Sequence, residues 1–115
     1  MQPQLFDRQA ALARVGDDEE LLAELVKIFL DDYPSSLRAI DSAVRMGSSH
    51  DLEMAAHTLK GAVANFGADA VVKEVFELER QGRTGDLSHA NENLQRLHET
   101  LRQLDQEMRP LSLLA

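Results

Sequence analysis

Cysteine and tryptophan are both missing from this chain. Without cysteine there is no disulfide staple, no thiolate metal site and no thiol nucleophile. Proline occurs three times and glycine six times in 115 residues, and β-branched residues are few and scattered. No stretch alternates with a period of two over a useful length, so the sequence offers little from which to build a sheet. Long apolar runs are also lacking. The longest is Ala10 to Ala13, far short of the roughly 20 residues of a membrane-spanning helix, and the N-terminus has no secretory apolar segment. Excess positive charge is the last absence: 12 basic against 20 acidic side chains leave a net charge of −8 with histidine neutral. Such a chain repels phosphate backbones and anionic lipid, which argues against nucleic acid and membrane surfaces as partners. The expected location is the cytoplasm, or the cytoplasmic portion of a larger protein.

What is present is helical periodicity. Apolar residues make up 43% of the chain, enough for one core and one domain, 1–115. They recur at spacings of three and four. Leu5 to Val15 reads as a short first helix capped by Asp7 and stopped by Gly16. Asp17 with Glu20 resembles a capping box for the next helix. Leu22, Leu25, Val26, Phe29 and Tyr33 form a stripe that Leu37, Ile40 and Val44 resume beyond Pro34. The spacing predicts a long helix kinked near Pro34, or two abutting helices. Asp51 to about Phe66 is the next helix, ended by Gly67. Ala68 to Gln81 follows, with Val71, Val72, Val75 and Leu78 facing inward. Gly82-Arg83-Thr84-Gly85 reads as a loop. The last helix runs from about Asp86 to Met108, where Pro110 closes it. Its seam of Leu87, Ala90, Leu94, Leu97, Leu101, Leu104 and Met108 suits antiparallel neighbours. The expectation is all-α: an up-down-up-down antiparallel four-helix bundle with a short extra N-terminal helix. Its core covers about 6–108, and its tail, 109–115, is frayed.

One segment carries chemistry. At about 100° per residue, Leu52, Ala55, Ala56, Leu59, Ala62, Val63 and Phe66 share one sector of their helix. His57 falls roughly 160° from the centre of that sector and so points to solvent. Lys60, Gly61 and Ala64 lie on its side. A glycine inside a helix costs about 1 kcal/mol relative to alanine, and close approach of another surface beside His57 would offset that. Met54 and Ala64 add soft and small side chains to the same face, as a docking patch would. A neutral imidazole is a competent nucleophile near neutral pH. Phosphoryl transfer through His57 fits, with Lys60 offsetting the added charge and the metal and acidic cluster supplied by a partner. His50, His89 and His98 lack this pattern and read as ordinary surface residues.

The run His57-Thr58-Leu59-Lys60-Gly61-Ala62, followed by Phe66-Gly67-Ala68, resembles the signature of histidine-containing phosphotransfer (HPt) domains. Leu21 to Leu25 through Phe29-Leu30 and Pro34, and Leu78-Glu79 with Arg83 and Gly85-Asp86, resemble the family's flanks. The similarity extends from about Phe6 to Leu104. The resemblance implies a four-helix bundle working in a bacterial phosphorelay. A response-regulator receiver domain carrying a phosphoaspartate would dock on the His57 face. His57 would take the phosphoryl group, on Nε2, and pass it to another receiver aspartate. Lys60 would steady the phosphate and Gly61 would allow close docking. Met54, Ala64 and an exposed side near Phe29 or Tyr33 would complete the surface, and Arg83 would either reach the phosphate from the loop or, the preferred reading, stand there as a solvated residue. The domain would have no cofactor of its own, with Mg²⁺ belonging to the receiver. It would be a monomeric phosphocarrier without autonomous turnover, free-standing or part of a hybrid sensor histidine kinase. The start at Met1-Gln2-Pro3 fits either, and the direction of phosphoryl flow stays open.

Two other classes compete. A non-catalytic helical adaptor would dimerise through the seam of the last helix. A di-iron bundle enzyme needs two Glu-x-x-His pairs, and Gly47, Met54, Asp86 and Gln95 stand three residues before the four histidines.

Overall fold

The computed structural model describes residues 4–114, so Met1 to Pro3 and Ala115 lie outside the described residues. The elements are α1 (Arg8–Arg14), α2 (Glu19–Met46), α3 (Ser49–Ala64), α4 (Asp69–Thr84) and α5 (Ala90–Ser112). Helices α2 to α5 form a ring in which each packs on the next and α5 returns to α2. This is the expected four-helix bundle, with α1 as the small additional helix. Among the described residues no helix is long and apolar enough to cross a membrane.

The caps follow from local chemistry. Asp7 caps α1 by accepting from the Ala10 amide. Helix α2 is capped by Asp18, which accepts from the Leu21 amide, and not by Asp17. Asp17 takes φ 62° in the turn after Gly16, a left-handed backbone that aspartate tolerates better than most residues. Ser48 caps α3 by accepting from Asp51.

Pro34 does not divide α2, which continues from Glu19 to Met46 as one element. A proline interior to a helix removes one hydrogen bond and costs about 3 kcal/mol. Leu22, Val26, Phe29, Leu30, Leu37 and Ile40 bury on both sides of it. At about 1.5–3 kcal/mol for each of these side chains, their burial outweighs that cost. Pro110 likewise lies inside α5, which runs on to Ser112. Leu111 packs on the core there and Arg109 pairs with Asp105 one turn back. The expected stop at Met108 is thus corrected to Ser112; Leu113 and Leu114 lie beyond the helix and are exposed, and Ala115 lies outside the described residues. The start of α5 is later than expected. Asp86 accepts from both the amide and the hydroxyl of Ser88, a local turn that competes with helix.

The seam of α5 faces inward. Leu94, Leu97, Leu101, Leu104 and Met108 are buried in the chain's own core, so an adaptor dimerising through that seam is ruled out. At one end of the bundle Phe6 packs on Phe66, which also meets Phe29. Gly67, at φ 65°, lies under α1, where a Cβ would come within 2.9 Å of the Asp7 Cβ. The Glu107 carboxylate accepts from the amides of Leu5 and Phe6 and so ties the N-terminal segment to α5.

Candidate functional site

The site is built from two antiparallel helices held at close range. Gly82 is a buried helical residue of α4, not part of a loop. A Cβ there would stand 2.5 Å from the Glu53 amide nitrogen and 2.7 Å from the Ser49 carbonyl oxygen. Only glycine lets α4 approach α3 this closely. From that contact the facing pairs step along by one turn at a time: Arg83 with Glu53, Glu79 with His57, Phe76 with Lys60.

His57 is exposed, its side chain 66% accessible, as the face arithmetic predicts. Its Nδ1 lies 3.1 Å from Glu79 Oε2. Glu79 is only 3% exposed. Burial pushes its carboxyl up, but hydrogen bonds from Lys60 and His57 and their charges outweigh this and hold it below the usual glutamate range. Glu79 is therefore ionised at neutral pH and can only accept. The His57 Nδ1 accordingly donates, and the remaining lone pair is on Nε2. Among the described residues Nε2 makes no hydrogen bond or ion pair.

Two cations complete the cluster. Lys60 Nζ lies 2.7 Å from Glu79 Oε1 and 5.0 Å from the centre of the Phe76 ring. It is half-buried and held. Arg83 Nη2 donates to Glu79 at 2.9 Å and its Nε to Glu53 at 3.1 Å. Arg83 thus belongs to the last turn of α4 and to the His57 cluster, contrary to the loop expectation. Burying one carboxylate against three donors satisfies the rule that buried charges are paired.

Beside the ring the surface is open. A Cβ at Gly61 would meet nothing within 4 Å. Met54, one turn before His57, is 54% exposed, and Ala64, two turns after, is half-buried. Met54 and Thr58 also line a groove of about 650 Å³ between α2 and α3, bordered by Ala39, Ser42 and Met46. Phe29 does not contribute an exposed side. It is 5% accessible and stacked on Tyr33 at 5.3 Å, because its ring fills the end of the core against Phe66. Its neighbour Ile28 and the α4 residue Phe76 are among the exposed apolar side chains that sequence reasoning missed. Among the described residues no group of three or more potential metal ligands occurs.

Comparison with known proteins agrees with this architecture. The model of the Hpt domain family matches residues 24–107. The phosphorelay protein LuxU of Vibrio cholerae serotype O1 (strain ATCC 39315 / El Tor Inaba N16961) is 32% identical over 91 residues, covering 76% of this chain and 78% of that protein. LuxU of Vibrio vulnificus (strain YJ016) is 30% identical over 80 residues, 66% of this chain and 70% of that one. The crystal structure of histidine-containing phosphotransfer protein B (HptB) from Pseudomonas aeruginosa PAO1 superposes with a TM-score of 0.86 at 22% identity, covering 95% of both chains. The chain belongs to the Hpt family, and it is a phosphocarrier, the histidine phosphotransfer intermediary of a phosphorelay.

Proposed function

We propose that His57 is the phosphoacceptor, taking the phosphoryl group on Nε2 from a receiver-domain phosphoaspartate and yielding it to the aspartate of another receiver. The observation that carries this reading is the exposed ring with its Nε2 unengaged and open space over Gly61 beside it. An in-line displacement needs the attacking nitrogen, the phosphorus and the leaving carboxylate oxygen roughly aligned. A nucleophile on the convex side of a helix meets that need by entering the partner's pocket. On this reading Mg²⁺ and the acidic groups that hold it belong to the receiver, while Glu79 and Glu53 of this chain are engaged by His57, Lys60 and Arg83.

Lys60 steadies the phosphoryl oxygens, being one turn from His57 and already desolvated on one side by Phe76. Gly61 admits the receiver surface. Met54 and Ala64 form apolar contact on either side. The protein acts as a cytoplasmic monomer, alone or as part of a hybrid sensor histidine kinase.

Incubation with a phosphorylated receiver tests the assignment. The wild-type protein takes up one acid-labile phosphoryl group, and His57→Gln takes up none. Undiminished transfer to His57→Gln would place the acceptor elsewhere.

A further inference from the structure

Phe76 is the large apolar side chain that α4 leaves outside. Val71, Val75 and Leu78 are buried, whereas Phe76 stays 42% accessible. Its ring nevertheless has a partner. The Lys60 ammonium stands 5.0 Å from the ring centre, inside the roughly 6 Å over which an aromatic face attracts a cation. Lys60 in turn is only 25% accessible, although lysine is among the residue types most often left in water. Two restraints account for that. Glu79 Oε1 holds Nζ at 2.7 Å from one side, and the Phe76 face covers it from another.

The two restraints differ in kind. The carboxylate fixes the ammonium with a directional, charge-assisted bond. The ring attracts it through a quadrupole spread over the whole face, so a shift across that face costs little. Lysine is a point charge on a flexible four-carbon stem. A platform that restrains the stem without fixing the direction of the N–H bonds suits a cation that has to change partners. Such a change is open to Lys60, because Arg83 stays on Glu79 at 2.9 Å and keeps that buried carboxylate paired.

Resting on the assignment of His57 as phosphoacceptor, we propose that Phe76 is a positioning residue whose ring face keeps the Lys60 ammonium beside the phosphoryl group while Nζ moves from Glu79 to a phosphoryl oxygen. The phosphoryl group brings up to about two negative charges and three strong acceptors, one turn along α3 from Lys60. Without the ring the released ammonium swings out into water, and an ion pair held by a freely moving side chain is worth little. A leucine at position 76 would cover the same methylenes of the lysine stem but offer no quadrupole. The contribution therefore belongs to the aromatic face, and it reaches the phosphate only through Lys60.

The test is a double-mutant cycle on the intact protein, phosphorylated with phosphoramidate, a small donor that needs no receiver, and followed by ³¹P NMR. Phe76→Leu shortens the lifetime of phosphorylated His57 about two- to fivefold, the factor that one partly exposed cation–aromatic contact supplies. Phe76→Tyr keeps the ring face and with it the long lifetime. In a Lys60→Ala background Phe76→Leu has no further effect, since no ammonium is left to hold. In proton spectra of the resting wild type the ε-methylene of Lys60 is shifted upfield of those of Lys27 and Lys73, the other two lysines, by the ring current of Phe76. An unshifted Lys60 signal would overturn the proposal, and this measurement needs no variant. So would an unchanged lifetime in Phe76→Leu, or an equal loss with and without Lys60. Slower receiver transfer through a raised KM alone, at an unchanged lifetime, would make Phe76 a docking contact and overturn its positioning role. Labelling of His57→Gln by phosphoramidate as efficient as that of the wild type would instead remove the assignment of His57, and the proposal with it.

Discussion

Replacing Gly61 by alanine should make the isolated protein more stable, although the residue beside it performs the chemistry. Gly61 lies inside α3 with ordinary helical backbone, and nothing stands within 4 Å of a Cβ built on it. The new methyl therefore meets no neighbour and buries nothing. What remains is the intrinsic difference between the two residues in a helix, about 0.5–1 kcal/mol in favour of alanine. Unfolding entropy of about 2.1 cal/mol/K per residue amounts to about 0.24 kcal/mol/K for a chain of this size. The expected rise in Tm is thus about 2–4 °C, read from the helical circular dichroism signal on heating at neutral pH. A fall in Tm would refute the reasoning, since it would mean that the Cβ direction is occupied or the backbone is not helical. The companion substitution Gly61→Gln should also fold, yet reduce transfer from a phosphorylated receiver at least about tenfold, the effect of roughly 1.4 kcal/mol of lost docking energy. Labelling by phosphoramidate should persist in that variant. Receiver transfer at the wild-type rate would remove Gly61 from the docking surface.

Gly82→Ala should do the reverse of Gly61→Ala, because its Cβ would stand 2.5 Å from backbone that cannot yield locally. Urea unfolding should show a loss of about 1–3 kcal/mol or more, and an unchanged midpoint would contradict the close approach of α3 and α4. Lys60→Ala should shorten the lifetime of the phosphorylated ring several-fold, taking about 1 kcal/mol for one charge-assisted contact in a half-solvated place. Equal decay rates in ³¹P spectra would exclude Lys60 from that role. Tyr33, the single tyrosine, is pushed up to about 12 by burial and by its hydrogen bond to Asp105. Its raised value means that the neutral hydroxyl stabilises the fold below pH 10 and that this contribution is lost as pH rises through 10 toward about 12. Absorbance at the phenolate band, read immediately after a pH jump and before unfolding, should show half-titration near 12, and a midpoint at the ordinary value of 10 would contradict the contact.

Most of the bundle is legible in the sequence because burial imposes its period. The seam from Leu94 to Met108 and the inner face of α3 are read correctly by spacing alone. The places where reading fails share a cause: a local signal that packing overrides. Gly82 and Gly85 suggest a loop, yet Gly82 is a helix contact whose missing side chain brings α3 and α4 together. Pro34 and Pro110 suggest breaks, yet apolar residues beyond each prolong the helix. In the site, His57 is legible as the odd polar residue opposite an apolar sector, and Gly61 as a residue out of place. Glu79 is not singled out, since an isolated glutamate on a helix is ordinarily solvated. A signal was present: Val75 and Gly82 stand four before and three after it, which places Glu79 on the inward stripe of α4. The spacing marks the position, but only the geometry shows three donors converging there. Ile28 and Phe76 escape notice for the opposite reason, as apolar residues that packing leaves outside.

The bond from Glu107 to the amides of Leu5 and Phe6 joins positions more than a hundred residues apart. The four main helices meet chiefly their sequential neighbours, and such local pairs come together early in folding. A clasp between the two extremities must wait until the intervening chain has collapsed, because loop closure has to be met first. On that order the small first helix is expected to dock last, over the phenylalanine end of the bundle, after the face bearing the imidazole is in place.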